Sequence, residues 1–122
     1  MPATQRLARQ GEDWAARYLQ ARGYRILGRN VRTPYGEIDI VAQDGDQVVF
    51  VEVKTRTTRA FGWPEDAITP RKLAHMLAAA EHYLAEHDPQ AQWSWRLDVL
   101  ALYWPDPSQP PQVRHWTDVR PE

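Results

Sequence analysis

The sequence predicts an α/β fold with its elements in the order helix, three strands, helix, two strands. Three observations carry this. Apolar residues recur at helical spacing in two stretches, residues 5–22 and the segment opening at Thr69. Between them, residues 36–54 alternate as two strands about an Asp-Gly-Asp turn. After the second helix, residues 93–104 form a long run of strong strand formers.

The first helix, residues 5–22, sets Leu7, Gly11, Trp14, Ala15, Tyr18 and Leu19 on one stripe and ends before Gly23. Glu12 borders that stripe, flanked by Ala8 and Ala15/Ala16. Taken alone it is a solvated helix charge, although its carboxylate could reach inward. Residues 24–31 follow as a first strand in which Gly28 marks a bulge or a close approach. Residues 33–36, with Pro34, turn the chain into the hairpin.

Within the hairpin, alternation places Ile38 and Ile40 on the same face as Val49, Val51 and Val53. The other face of the second hairpin strand runs Val48, Phe50, Glu52, Lys54. A strand that begins apolar on both faces is central and covered on both sides, yet a carboxylate and an ammonium stand at its far end. Charges there need partners, protons or a metal. A Gly45-Asp46 loop pairs Asp44 with Gln47, Asp39 with Glu52 and Glu37 with Lys54; an Asp44-Gly45 loop instead pairs Glu37 with Glu52. The first register is preferred for its charge-complementary Glu37–Lys54 pair, and it brings the Asp39 and Glu52 Cβ atoms to roughly 5 Å. Carboxylates that close repel unless one is protonated or a cation bridges them.

Residues 55–69 show no periodicity, as a binding loop or lid would, and carry Arg56 and Arg59. Thr69-Pro70 opens the second helix as N-cap and first residue, Leu73, Met76, Leu77, Ala80, Tyr83 and Leu84 supply its buried stripe, and Asp88-Pro89 stops it. Lys72 lies in the first turn, where the helix dipole disfavours a cation; taken alone it is a solvated lysine, with a phosphate or carboxylate neighbour as the alternative. In the strand 93–104, Leu97, Val99 and Ala101 share a face with the tryptophans, while Arg96 and Asp98, a structural ion pair, precede Leu100 and Leu102 on the other. A Pro-rich connection, 105–111, leads to an edge strand at 113–119.

With 122 residues, 43% of them hydrophobic, and no internal repeat, residues 1–122 are read as one domain, its core at about 5–104. The absence of cysteine removes disulfides and thiolate chemistry and is compatible with a reducing cytosol, so a cytoplasmic protein is expected. No long apolar run or signal pattern occurs, so the chain is expected to be soluble, independent of membranes and made in its mature form. The net charge of -1 argues against a non-specific polyanion binder, although residues 1–59 carry 10 Lys/Arg against 7 Asp/Glu. Phosphate-cradling glycine loops, nucleotide-binding motifs and nucleophile elbows are absent. His75, His82, His87 and His115 give no zinc spacing and read as surface residues, and the six tryptophans read as core.

Asp39, Glu52, Val53 and Lys54 form a D-x12-E-x-K pattern on two hairpin strands. This resembles the PD-(D/E)xK core of restriction endonucleases and archaeal Holliday junction resolvases. Gly11-Glu12, Arg29-Asn30, Gly36-Glu37-Ile38-Asp39, Phe50 to Arg56, Lys72 and Arg96-Leu97-Asp98 are more closely similar to the small bacterial YraN-like family. Ile38 replaces the proline of the nuclease motif, and Leu97 replaces a phenylalanine.

The resemblance implies a restriction-endonuclease-like core, a mixed central sheet flanked by helices. It further implies a metal-dependent nuclease acting on phosphodiester bonds in DNA, with branched DNA as a candidate substrate and a homodimer as a candidate assembly. Asp39 and Glu52 would hold Mg²⁺ or Mn²⁺, with the Val53 carbonyl as a further ligand. Lys54 would orient or help deprotonate the attacking water, and Glu12 would add a carboxylate to the site. Arg32, Arg56, Arg59 and Lys72 would contact the nucleic-acid backbone. A module that binds or assembles without catalysis, and a purely structural ion network, are the rival readings.

Overall fold

The structure, a computed structural model, describes residues 2–121. Helix α1 (Ala3–Ala21) leads into strands β1 (Arg25–Thr33), β2 (Gly36–Asp44) and β3 (Gln47–Arg56). A single 3-10 turn (Pro64–Ala67) precedes helix α2 (Pro70–His87), and strands β4 (Ser94–Tyr103) and β5 (Gln112–Trp116) complete the chain. The expected element order is therefore observed. The five strands form one sheet in sequence order, β1-β2-β3-β4-β5. All neighbours are antiparallel except β3 and β4, which run parallel and so require the crossover that α2 supplies.

Helix α2 begins where local chemistry says it should. The Thr69 hydroxyl accepts the Lys72 amide at 3.1 Å, Pro70 fills the first helical position, and Asp88 ends α2. Each helix covers one face of the sheet. On one side Ala15, Ala16 and Leu19 of α1 pack on Ile40, Ala42, Val49, Val51, Val53, Leu100 and Leu102. On the other, Ala79 and Ala80 of α2 pack on Ile38, Val41, Val48, Phe50 and Leu97. Strand β3 is thus central and apolar on both faces, and full burial of one such aliphatic side chain contributes roughly 1.5–3 kcal/mol.

Four expectations need correction. Ile38 does not share a face with Ile40: it packs on the α2 side and Ile40 on the α1 side. Simple alternation fails there because the ladders of β2 are interrupted at Asp39, opposite Asn30, whose backbone is left-handed at φ 51°. Segment 55–69 is not structureless. Strand β3 continues through Arg56, and the 3-10 turn is fixed by Asp66, whose carboxylate accepts the Trp63 amide at 2.8 Å. The last strand is shorter than 113–119, because Val119 leaves the β5 ladder to bond Leu97 O at 2.8 Å. Finally, the tryptophans rim the core rather than fill it: Trp14, Trp63, Trp95 and Trp104 are half-buried, and Trp93 and Trp116 are exposed.

Candidate active site

The hairpin turn sets the geometry. Asp44 pairs with Gln47 and Ile40 with Val51, which is the register of the Gly45-Asp46 loop. The ladder stops at Ile40, one residue before Asp39. There the Asp39 carboxylate replaces a backbone partner, its Oδ2 accepting the Val53 amide at 2.8 Å. A strand residue projects its N–H and C=O from the same edge, so the Val53 carbonyl also faces Asp39. The expected Glu37–Lys54 pair does not form among the described residues: Glu37 faces Arg32 across β1. The register was therefore anticipated correctly, but for a reason the structure does not bear out.

Asp39 and Glu52 face each other with too little compensation. Burial, reinforced by the charge of Glu52, pushes the Asp39 carboxyl up to about 8, and the Val53 N–H opposes this only in part. Glu12 adds further repulsion, and Lys72 relieves some of it. Burial raises Glu52 as well, against the Lys72 ammonium and its interaction with the Asp39 carboxyl. Both carboxyls are thus biased toward their protonated forms, Asp39 being the less compensated, because Glu52 has a cation beside it, Lys72 Nζ at 3.1 Å from Oε1. Lys72, read alone as a solvated lysine, thus has a carboxylate neighbour in Glu52.

Helix α1 brings Glu12 close by packing against β3. A Cβ at Gly11 would stand 1.9 Å from Thr55 Oγ1, so this position admits glycine alone. Asn30 Nδ2 donates to Glu12 Oε1 at 2.7 Å, and Arg29 pairs with Asp13 at 2.6 Å. The Arg29-Asn30 block thus ties α1 to β1, a role the sequence reading did not assign. Glu12 is felt at Asp39 as charge while its own oxygen is held by Asn30.

Lys54 is half-buried beside Glu52 and contributes a smaller compensating charge than Lys72 does. The basic residues divide. Arg32 is exposed on β1, Arg59 is exposed with its guanidinium 3.8 Å from the centre of the Trp63 ring, and Arg56 is half-buried, Nη1 donating to the Phe61 carbonyl at 2.8 Å. Tyr35, Glu37, Phe50, Glu52, Lys72 and Met76 are among the residues lining a cleft of about 30 Å³ between the hairpin and α2. That is room for a water or a bare cation, not a nucleotide. Among the described residues no group of three or more His, Asp or Glu side chains gathers as a metal nest.

A second polar cluster lies on the α1 face, at the start of β4. Asp98 is 0% exposed and accepts from Arg96 Nε at 3.0 Å, from the Asp118 amide at 3.0 Å and, through Oδ2, pairs with His115 Nε2 at 2.8 Å. Burial alone would raise it, but the hydrogen bonds from His115, Arg96 and Asp118 outweigh burial and hold it below the usual carboxylate range. His115 is thus no plain surface histidine. Its isolated position in the sequence carried no signal of this, because its partner is on a different strand.

Residues 11–102 match the family described as "Uncharacterised protein family UPF0102". The chain belongs to this family. It is the YraN-like family anticipated from the motifs, and its members include a Beutenbergia cavernae protein 47% identical over 102 residues, covering 84% of this chain and 86% of that one. A Parafrankia protein is 50% identical over 103 residues, 84% and 86% of the two chains. A Dehalococcoides mccartyi protein is 45% identical over 100 residues, 82% and 79% of the two. All three carry the UPF0102 name. The matched span of this UPF0102 protein takes in every residue of the carboxylate site, from Gly11 and Glu12 through Asp39, Glu52 and Lys54 to Lys72. Among the described residues no helix is long and apolar enough to cross a membrane.

Proposed function

We propose that this protein is a metal-dependent nuclease with a restriction-endonuclease-like core, acting on phosphodiester bonds in DNA, with branched DNA as the candidate substrate. The observation that carries this reading is the Asp39–Glu52 pair, two carboxylates held together at the end of a central hairpin with Asp39 pushed up to about 8. Such a pair suits a hard divalent cation: two oxygen donors, a backbone carbonyl from Val53 on the same edge, and an excess of negative charge. Mg²⁺ or Mn²⁺ held there would supply Lewis acidity at the scissile phosphate.

The chain's own groups have distinct parts in this scheme. Asp39 would hold the cation in its ionised form, its proton passing to solvent. Glu52 would be the second carboxylate on the cation, and Lys72, at the start of α2, would meet a phosphate. Lys54 orients the attacking water and offsets charge that develops on the phosphate. Glu12, steadied by Asn30, keeps the field negative around Asp39. Arg32, Arg56 and Arg59 supply backbone contacts, and a two-fold dimer would present two such sites.

The Lys72–Glu52 pair and, among the described residues, the lack of a third converging acid favour one rival, a non-catalytic nucleic-acid-binding or assembly module. Two measurements decide. Calorimetric titration with Mn²⁺ should show one site in the wild type and none in Glu52→Ala. Incubation with Mn²⁺ and junction, flap, single-stranded or duplex DNA should give cleavage that Glu52→Ala abolishes. Metal binding without cleavage would favour the rival module, and cleavage surviving in Glu52→Ala would refute the assignment.

A further inference from the structure

Resting on the nucleic-acid reading above, we propose that Phe61 is a base-stacking residue. It stands on the connection between β3 and α2, the elements that carry Glu52 and Lys72, to receive an unpaired nucleobase, so the preferred DNA has a single-stranded or branched segment.

Phe61 is 84% exposed, against 54% for Tyr35, the next most exposed large hydrophobic residue. Its loop is nonetheless pinned. Arg56 holds the Phe61 carbonyl at 2.8 Å, and the Gly62 amide closes a turn onto Arg59 O at 3.0 Å. Gly62 is left-handed at φ 97°, and a Cβ there would stand 2.7 Å from Asp66 Oδ2. Trp63, next in the chain, has the Arg59 and Arg114 guanidiniums 3.8 and 3.7 Å from its ring centre, and Glu65 holds Arg114 at 2.7 Å. A fixed backbone therefore displays a phenyl ring to solvent, where it forgoes the stabilisation of burial.

Position and charge indicate the occupant. The loop leaves β3 two residues beyond Lys54 and returns through the 3-10 turn to α2, whose Lys72 touches Glu52, so it joins the two elements that supply these side chains. Residues 53–64 carry Lys54, Arg56 and Arg59 and no acid. An aromatic ring between cations suits a base with its flanking phosphates. A protein partner fits less well, since a stable interface covers roughly 800 Å² per side and this ring's chain neighbours are Ala60 and Gly62.

The test is anisotropy of the full chain in EDTA with labelled single-stranded, flap, four-way-junction and blunt-duplex DNA. Phe61→Ala should weaken single-strand and flap binding roughly tenfold and change duplex binding by less than about twofold, and Phe61→Tyr should restore the wild-type pattern. Equal loss on every DNA, no loss on any, or no binding by the wild type would overturn the proposal. So would sedimentation showing that Phe61→Ala abolishes self-association while DNA binding is unchanged, which would assign the ring to a second copy. Because no metal is present, failure of cleavage in the earlier panel would leave this result intact and count only against catalysis.

Discussion

Asp39 and Asp98 are aspartates of one sheet, and they differ in what surrounds them. Asp98 is sealed from solvent but meets a guanidinium, an imidazole and a backbone amide, so its charge is held more firmly than in water. Asp39 is only half-buried, yet it meets one amide and a second carboxylate, so its charge is disfavoured. Partner count, more than depth, decides whether a carboxylate is fixed in one state or ready to change state. Asp98 serves the fold; Asp39 retains electrostatic strain that a cation could relieve.

The largest test of this contrast is Asp98→Asn, which leaves Arg96 and His115 without their shared anion. Loss of one partner from a buried ion pair costs about 3–5 kcal/mol, to be read from urea unfolding. A loss under about 1 kcal/mol would erase the distinction drawn here.

Next comes pH. Asp39 is raised in the folded state to about 8 from its ordinary 3.8, so between those values the folded protein binds the extra proton. Its contribution to stability is present below that window and is lost as pH rises through the folded value. Unfolding free energy should fall by ~2 kcal/mol from pH 6 to pH 8, and Asp39→Asn should flatten the profile. A wild-type profile already flat over that range would show that Asp39 is as well compensated as Asp98.

The smallest effect is expected at Lys72. Its side chain is 42% exposed against 11% for Glu52, so screening limits Lys72→Met to about 1 kcal/mol or less, and 1 M salt should narrow the difference. The same variant should move the pH transition of the Asp39–Glu52 pair upward, an effect visible by titrating stability against pH. A downward movement would mean that Lys72 does not act on the pair as a compensating charge.

Much of this was legible in the sequence wherever the determinants are local. Thr69-Pro70 starts α2, and a two-residue turn at Gly45-Asp46 fixes the hairpin register and with it the approach of Asp39 to Glu52. What escaped depends on groups that meet only after folding. Ile38 changes face where the ladder is interrupted opposite Asn30, and no alternation rule anticipates a break imposed by a neighbouring strand. His115 finds Asp98 across the β4–β5 pair, and Lys72 finds Glu52 across the crossover. In the sequence both were single basic residues with several possible neighbours. The motifs singled out Asp39, Glu52 and Lys54, but the apportioning of charge around them required the tertiary structure.

The glycine where α1 meets β3 has a mechanical consequence. Gly11 is the only glycine in α1, and at its point of closest approach Thr55 Oγ1 leaves no space for a carbon. If the helix slid by a residue or a turn in either direction, it would bring a side chain against that hydroxyl. The contact therefore works as a locating pin: it sets the axial position of the helix through shape alone, with neither charge nor hydrogen bond. Glu12 is the next residue, so its placement near Asp39 inherits that tolerance and would survive changes of salt or pH that loosen the ion pairs around it.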